Sequence, residues 1–204
     1  MSRSLPRLVV ALLMAALLGG CAGTSALSAS GAQRDTQAAR RHIARGVELL
    51  NKNEVEQAQA MFDRAINADA YSGVAHNNMG ITYYRQQNYY QAAWYFQNAA
   101  RLLPYHPQPR NNLGLVFEAA GKLDDAVAEY DQALSLEPGN PQLIGNLARA
   151  RLHRGDDGPQ MQQLLEKLVM GGTRPEWQLW ARRQLILMKR DGVDATHGHE
   201  TDEQ

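Results

Sequence analysis

The sequence predicts an all-α fold, a solenoid of stacked helix-turn-helix pairs, and three observations predict it. The stretch Gly73 to His106 is repeated by Pro107 to Asn140 at an offset of 34 residues. Within that repeat Asn77-Asn78-Met79-Gly80 stands over Asn111-Asn112-Leu113-Gly114, Tyr83 over Phe117, Ala92 over Ala126, Phe96 over Tyr130 and Ala99 over Ala133. Each copy also closes on a proline, Pro104 and Pro138. A fixed period of this length describes a helical pair that cannot cover its own apolar face and so stacks on its neighbours.

Each unit divides into two amphipathic helices of about 14 residues. Gly80 and Gly114 lie where the first helix presses on the second, and Ala92, Ala99, Ala126 and Ala133 are the small residues that let the backbones approach. Tyr83, Phe96, Phe117 and Tyr130 fill the gaps that remain. Pro104 and Pro138 stop the second helices, because proline lacks the backbone N–H and clashes with the preceding turn. Period, glycine, alanines, aromatics and closing proline together resemble the tetratricopeptide repeat. The resemblance runs from Ala39 to about Arg174 as repeats 39–72, 73–106, 107–140 and a degenerate 141–174.

Taken from its start, the chain opens with Arg3 and Arg7, then the apolar run Leu8 to Leu18, then Leu18-Gly19-Gly20-Cys21. A basic start, a short apolar core and small residues before a cleavage point describe a secretory signal over residues 1–20, and the run is too short to span a bilayer as a helix. Cys21, the only cysteine, stands at that point. The arrangement resembles the lipobox of Gram-negative lipoproteins, which implies diacylglyceryl attachment to Cys21, cleavage before it and acylation of the new N-terminus. An ordinary cleaved signal with a chance cysteine is the alternative. Several acyl chains anchor stably where one alone is marginal. With Ala22 rather than Asp behind the cysteine, the sorting rule that accompanies the resemblance implies the outer membrane, facing the periplasm. A single cysteine leaves no disulfide framework.

Residues 21–38 read as the lipidated cysteine and a flexible tether. Ala22 to Gln37 is rich in Ser, Ala, Thr and Gly without apolar periodicity, and such a stretch spans about 20 to 25 Å on average. In repeat 39–72, Gly46, Ala58, Phe62 and Ala65 keep the register, Leu49 replaces the aromatic and Ala70 the proline. Asn53, Gly121 and Gly155 mark inter-helix turns that need a left-handed residue. In the fourth unit Leu147, Ala148 and Leu164 stay apolar, but Arg151 and Gln160 replace the aromatic and an alanine, and a longer turn precedes a helix Gln160 to Met170. Pro175 opens a capping helix over residues 175–190, whose Trp177, Trp180, Leu185 and Met188 cover the end of the stack while Arg182, Arg183, Lys189 and Arg190 face water. Residues 191–204 are acidic, lack apolar pattern and read as disordered.

The composition is that of an ordinary globular chain: 44% hydrophobic, 21% charged, formal net charge zero. Removing the leader takes away Arg3 and Arg7 and no acid, so the rest is slightly acidic, which argues against nucleic acid as a partner. The chain has no paired carboxylates in an apolar setting, no phosphate loop, no nucleophile elbow and no Cys or His ligand cluster, so no catalytic residue, cofactor or metal is expected. His197-Gly198-His199-Glu200 has no second cluster to complete a metal site. His42 and His76 share a repeat position that favours packing; His106 and His153 read as surface residues.

The resemblance also places a binding surface. In this family the first helices line a concave face through repeat positions 2, 5, 6, 9, 12 and 13, which here are Ile43, Ala44 and Val47, then Val74, Asn77, Asn78, Ile81, Tyr84 and Arg85, then Gln108, Asn111, Asn112, Leu115, Glu118 and Ala119. An asparagine amide both donates and accepts, so Asn78 and Asn112 suit a clamp on an extended peptide backbone, with Tyr84 as an apolar contact. The alternative is that the Asn pairs are merely tolerated surface residues. Of the Lys, Arg and Asn set with which one subgroup grips chaperone tails, only Asn78 matches. Trp94 and Tyr95, on an outer helix, are aromatics in excess of the core and mark either a convex interface, including self-association, or packing between repeats.

The resulting expectation is a non-catalytic scaffold, lipid-anchored in the outer membrane, that binds an envelope protein through its concave groove. It resembles the small repeat lipoproteins that help assemble type IV and tight-adherence pili or secretion channels. An adaptor that recruits peptidoglycan hydrolases or proteases is the rival expectation.

Overall fold

The computed structural model describes residues 34–171 and 175–197, with side chains as far as residue 190. The leader, Cys21 and nearly all of the tether lie outside the described residues. Four helical pairs follow one another: α1 (Thr36–Asn51) and α2 (Val55–Ala68), α3 (Gly73–Arg85) and α4 (Tyr89–Leu102), α5 (Pro107–Ala119) and α6 (Leu123–Leu136), α7 (Pro141–Arg154) and α8 (Pro159–Met170). A further helix, α9 (Pro175–His197), packs on α8.

The first three pairs are each held by one recurring contact. Gly46, Gly80 and Gly114 lie flat against the rings of Phe62, Phe96 and Tyr130, all fully buried. The alanines opposite, Ala58, Ala65, Ala92, Ala99, Ala126 and Ala133, are without exposed surface. In the fourth pair the exchange runs the other way, with Ala148 in place of the glycine and Leu164 in place of the ring, so added bulk on one helix is matched by a smaller side chain on the other.

The turns repeat as faithfully. Asn53, Gln87, Gly121 and Gly155 all have positive φ and stand 34 residues apart. At each turn the N–H beyond that residue reaches back to close the first helix: Glu54 to the Leu49 carbonyl at 2.9 Å, Asn88 to Tyr83 at 2.9 Å, Lys122 to Phe117 at 2.8 Å and Asp156 to Arg151 at 2.9 Å. This is the Schellman closure of a helix C-terminus. Asn53, Gly121 and Gly155 stand where expected; Gln87 adopts the same conformation without the composition that signals it.

Two boundaries differ from expectation, at the start of α1 and the end of α9, and the end of α2 lacks the closing proline as its sequence implies. Helix α1 starts at Thr36, inside the stretch read as tether, because the Asp35 carboxylate accepts from the Ala38 N–H at 2.8 Å while its own N–H reaches the Ala68 carbonyl. Helix α2 ends without a proline: Asp69 leaves the helix in extended conformation, and its carboxylate accepts from Arg34 at 2.8 Å and from the Tyr71 N–H at 3.1 Å. The capping helix continues to His197 rather than ending near residue 190, so the first part of the supposed disordered tail is helical. No proline interrupts it, and a single Gly192 costs a helix only about 1 kcal/mol. Residues 198–204, with His199 and Glu200, lie outside the described residues.

The first helices α1, α3 and α5 lie side by side and form one layer. The end of the stack is covered as expected: Trp177 seats its ring on Gly145 of α7, while Trp180, Leu185 and Met188 pack on the core of α7 and α8. Among the described residues no helix is long and apolar enough to cross a membrane.

Candidate functional site

The layer of first helices presents a row one residue wide at the same repeat position: Val47, Ile81 and Leu115. Val47 is exposed and the other two are half-buried, so this apolar track reaches the surface. Val74 and Gln108 beside it are exposed.

The asparagines flanking that track are engaged in a ladder. Asn112 Nδ2 donates to Asn77 Oδ1 at 3.0 Å, joining α5 to α3, and Asn146 Nδ2 donates to Asn111 Oδ1 at 2.7 Å, joining α7 to α5. Repeat position 6 of each unit thus bonds position 5 of the unit before. The ladder ends where its partner is missing: Ile43 stands at position 5 of the first unit, so Asn78 turns instead to its own helix and donates to the Val74 carbonyl at 2.9 Å. At the other end Gly145 occupies position 5 and the Trp177 ring covers it.

The residues assigned to the groove therefore separate. Asn111 and Asn146 are buried and act as struts between helices, so Asn111 does not line the groove as expected. Asn77, Asn78 and Asn112 are half-buried, and Asn78 and Asn112 each keep a carbonyl oxygen and one N–H beyond the bond they make. Arg85 is exposed, yet its Nη1 donates to the Leu50 carbonyl at 2.8 Å and steadies the end of α1. Tyr84 is half-buried against Tyr89, ring centroids 5.8 Å apart, and burial raises its hydroxyl pKa.

At the C-terminal end of the track sits an ionic cluster. Arg149 Nε and Nη2 donate to the two Glu118 oxygens at 2.9 and 2.8 Å, the Tyr130 hydroxyl donates to Glu118 Oε2 at 2.9 Å, and Arg149 Nη1 reaches Asn146 Oδ1 at 3.2 Å. His153 Nδ1 lies 3.3 Å from Glu118 Oε1, and the Arg149 guanidinium stands 6.0 Å from the Trp177 ring. Burial alone would raise the Glu118 carboxyl, but the bonds from Arg149 and Tyr130 hold it below its ordinary value. Burial beside that carboxylate pushes the Tyr130 hydroxyl far up. Arg149 was not foreseen as a site residue; its signal was its place at the repeat position of Val47, Ile81 and Leu115.

On the outer side, Tyr95 is half-buried and stacked on Tyr83, centroids 5.3 Å apart, with His76 at 5.9 Å. It belongs to the packing inside the second repeat, at the border of the core around Leu49, Leu50 and Phe62. His76 is itself buried, its Nε2 bonded to the Ala70 carbonyl at 3.0 Å, and His42 is half-buried; His106 and His153 are exposed. Trp94 remains 48% exposed and, with Tyr90, Phe117 and Val116, lines a groove of about 370 Å³ between the second and third repeats. The corresponding places between the other repeats are occupied. Gln59 bonds the Tyr83 hydroxyl and Gln86 on one side; on the other, Arg151 pairs with Asp131 and Arg154 with Asp124. Among the described residues no group of His, Cys, Asp and Glu is placed to hold a metal ion.

Models described as tetratricopeptide repeat match residues 71–136 and 117–158. No curated protein matches the chain. Among solved structures, Pseudomonas aeruginosa pilF is 22% identical with a TM-score of 0.67, over 81% of this chain and 76% of that one. The first repeat domain of Spaghetti (RPAP3) bound to the HSP90 peptide SRMEEVD is 22% identical with a TM-score of 0.59, over 62% of this chain and 100% of that one. The second such domain of human RPAP3 with the HSP70 peptide SGPTIEEVD is 25% identical with a TM-score of 0.54, over 56% and 96%. The fold is thus an all-helical solenoid of tetratricopeptide repeats, an architecture of protein-interaction modules.

Proposed function

We propose that this chain is a non-catalytic scaffold that holds a segment of an envelope protein along the face of its first helices, and that it assists assembly of a pilus or secretion complex. The observation that carries the reading is the open Val47, Ile81, Leu115 track flanked by Asn78 and Asn112, each with unused amide groups. Apolar side chains of a partner lie on the track while the amides meet its backbone. Peptides bound to the RPAP3 domains support a protein ligand, and the likeness to pilF over most of the chain supports the pilus setting. Within this reading Cys21 carries the lipid and the scaffold faces the periplasm from the outer membrane.

The test is affinity capture from the native envelope after mild crosslinking, comparing the wild-type chain with Asn78→Ala/Asn112→Ala. Recovery of a secretin or pilin-assembly protein, reduced on the order of tenfold by the double substitution, is expected. Recovery of wall hydrolases or proteases instead would replace the pilus setting by the adaptor role. Undiminished capture by the double variant would remove the groove from the function. Separately, Cys21→Ser should release the protein from membranes on fractionation, and retention would refute the lipid anchor.

A further inference from the structure

The outward face of α9 sets exposed aliphatic residues among exposed cations. Leu179 and Ile186 are each 67% exposed, and Arg182, Arg183, Lys189 and Arg190 are exposed on the same side. These six positions fall on roughly a third of the helix circumference, opposite Trp177, Ala181 and Met188, which pack inward. Among the described residues, Arg182, Arg183 and Lys189 have no carboxylate partner; Arg190 carries a contact of its own. Cations at the surface of a capping helix keep it soluble; the two exposed aliphatic residues between them do not serve that end.

We infer that this face docks on an anionic lipid surface, with Arg182, Arg183 and Lys189 among the head groups and Leu179 and Ile186 lodged between them. Charge complementarity argues for an anionic occupant, since only Glu176 opposes the cations on the described outer face. The spacing argues for a lipid surface over an acidic protein helix. A helical partner needs an apolar seam that recurs every three or four residues. Here the apolar positions come once in seven, about 10 Å apart along the axis, and the seam positions between them are cations. Separated aliphatics in a basic field suit shallow entry at a head-group boundary. The contact is independent of a lipid on Cys21 and of any ligand in the groove.

The experiment uses the full chain with Cys21→Ser, so that a single thiol introduced by Glu176→Cys carries an environment-sensitive fluorophore one turn from Leu179. Vesicles of phosphatidylcholine with about one third phosphatidylglycerol should shift its emission to the blue, and the shift should vanish near 0.5 M salt, where the screening length is only about 4 Å. Pure phosphatidylcholine should leave the emission unchanged. Arg182→Glu/Arg183→Glu, at exposed sites and with unchanged helicity, should weaken the response at least about tenfold. An equal response to uncharged vesicles, no response to anionic ones, or an undiminished response in the charge-reversed chain would overturn the inference. A shift with polyglutamate but not with anionic vesicles would overturn it in favour of an acidic protein partner. Because the fluorophore reports on α9 itself, vesicle binding by the N-terminal segment does not imitate the result.

Discussion

A Cβ placed on Gly114 would stand 2.5 Å from Cε1 of Tyr130, closer than any real side chain tolerates. Tyr130 cannot simply swing aside, because its ring is fully buried and its hydroxyl is held by Glu118 at 2.9 Å. Gly114→Ala should therefore destabilise the fold by about 1 to 3 kcal/mol, read as a fall in thermal midpoint by circular dichroism. Combining it with Tyr130→Leu reproduces the Ala148 and Leu164 arrangement of the fourth repeat and should cost less than the sum of the two single changes. Simple additivity would show that the two residues do not compensate.

Gln87 occupies a left-handed conformation, φ 60°, that three equivalent turns assign to Asn or Gly. It is exposed and its side chain takes no part in closing the turn. Gln87→Gly should stabilise the chain by about 0.5 to 1 kcal/mol, seen as a higher denaturant midpoint with unchanged slope. A lower midpoint would mean that the entropy lost by glycine outweighs the strain relieved.

The asparagine ladder separates structure from binding. Asn146→Ala removes the donor to buried Asn111 Oδ1 and should cost about 1 to 3 kcal/mol in stability. Asn78→Ala removes only a bond to its own helix and should change stability by less than about 0.5 kcal/mol. Chemical denaturation of the two variants side by side decides the matter, and equal losses would contradict the division drawn between strut and clamp.

Acid should destabilise the fold through the Glu118 cluster. The folded Glu118 carboxyl lies below its ordinary value, so its stabilising contribution is complete above that value, about pH 4.3, and is lost as the pH falls through the folded one. Asp69, lowered by its bond to Arg34, acts in the same sense at the other end. Thermal midpoints measured from about pH 6 down to pH 3 should fall, and Glu118→Gln should start lower and fall less steeply. A variant as steep as the wild type would remove Glu118 from the acid response.

The architecture was legible in the sequence because it is periodic. Glycine against aromatic, alanine rows, left-handed turn residues and closing prolines recur at one spacing, and each has a local cause that does not depend on distant parts of the chain. Hence the helical pairs, the degenerate fourth unit and the capping role of Trp177 and Trp180 followed from the residues alone. What the period conveys is that a position repeats, not whether its side chain meets its neighbour or a partner. Asn111 and Asn78 look alike in sequence, yet Asn111 is buried under Asn146 whereas Asn78 lost its neighbour to Ile43 and stays at the surface. Trp94 and Tyr95 are adjacent aromatics, and the stacking of Tyr95 on Tyr83 of the paired helix separates the packed one from the exposed one. Periodic local preference determined the helices and their stacking. The choice between strut, core and open surface was decided by tertiary contact, because a polar or aromatic side chain takes its role from what stands opposite it.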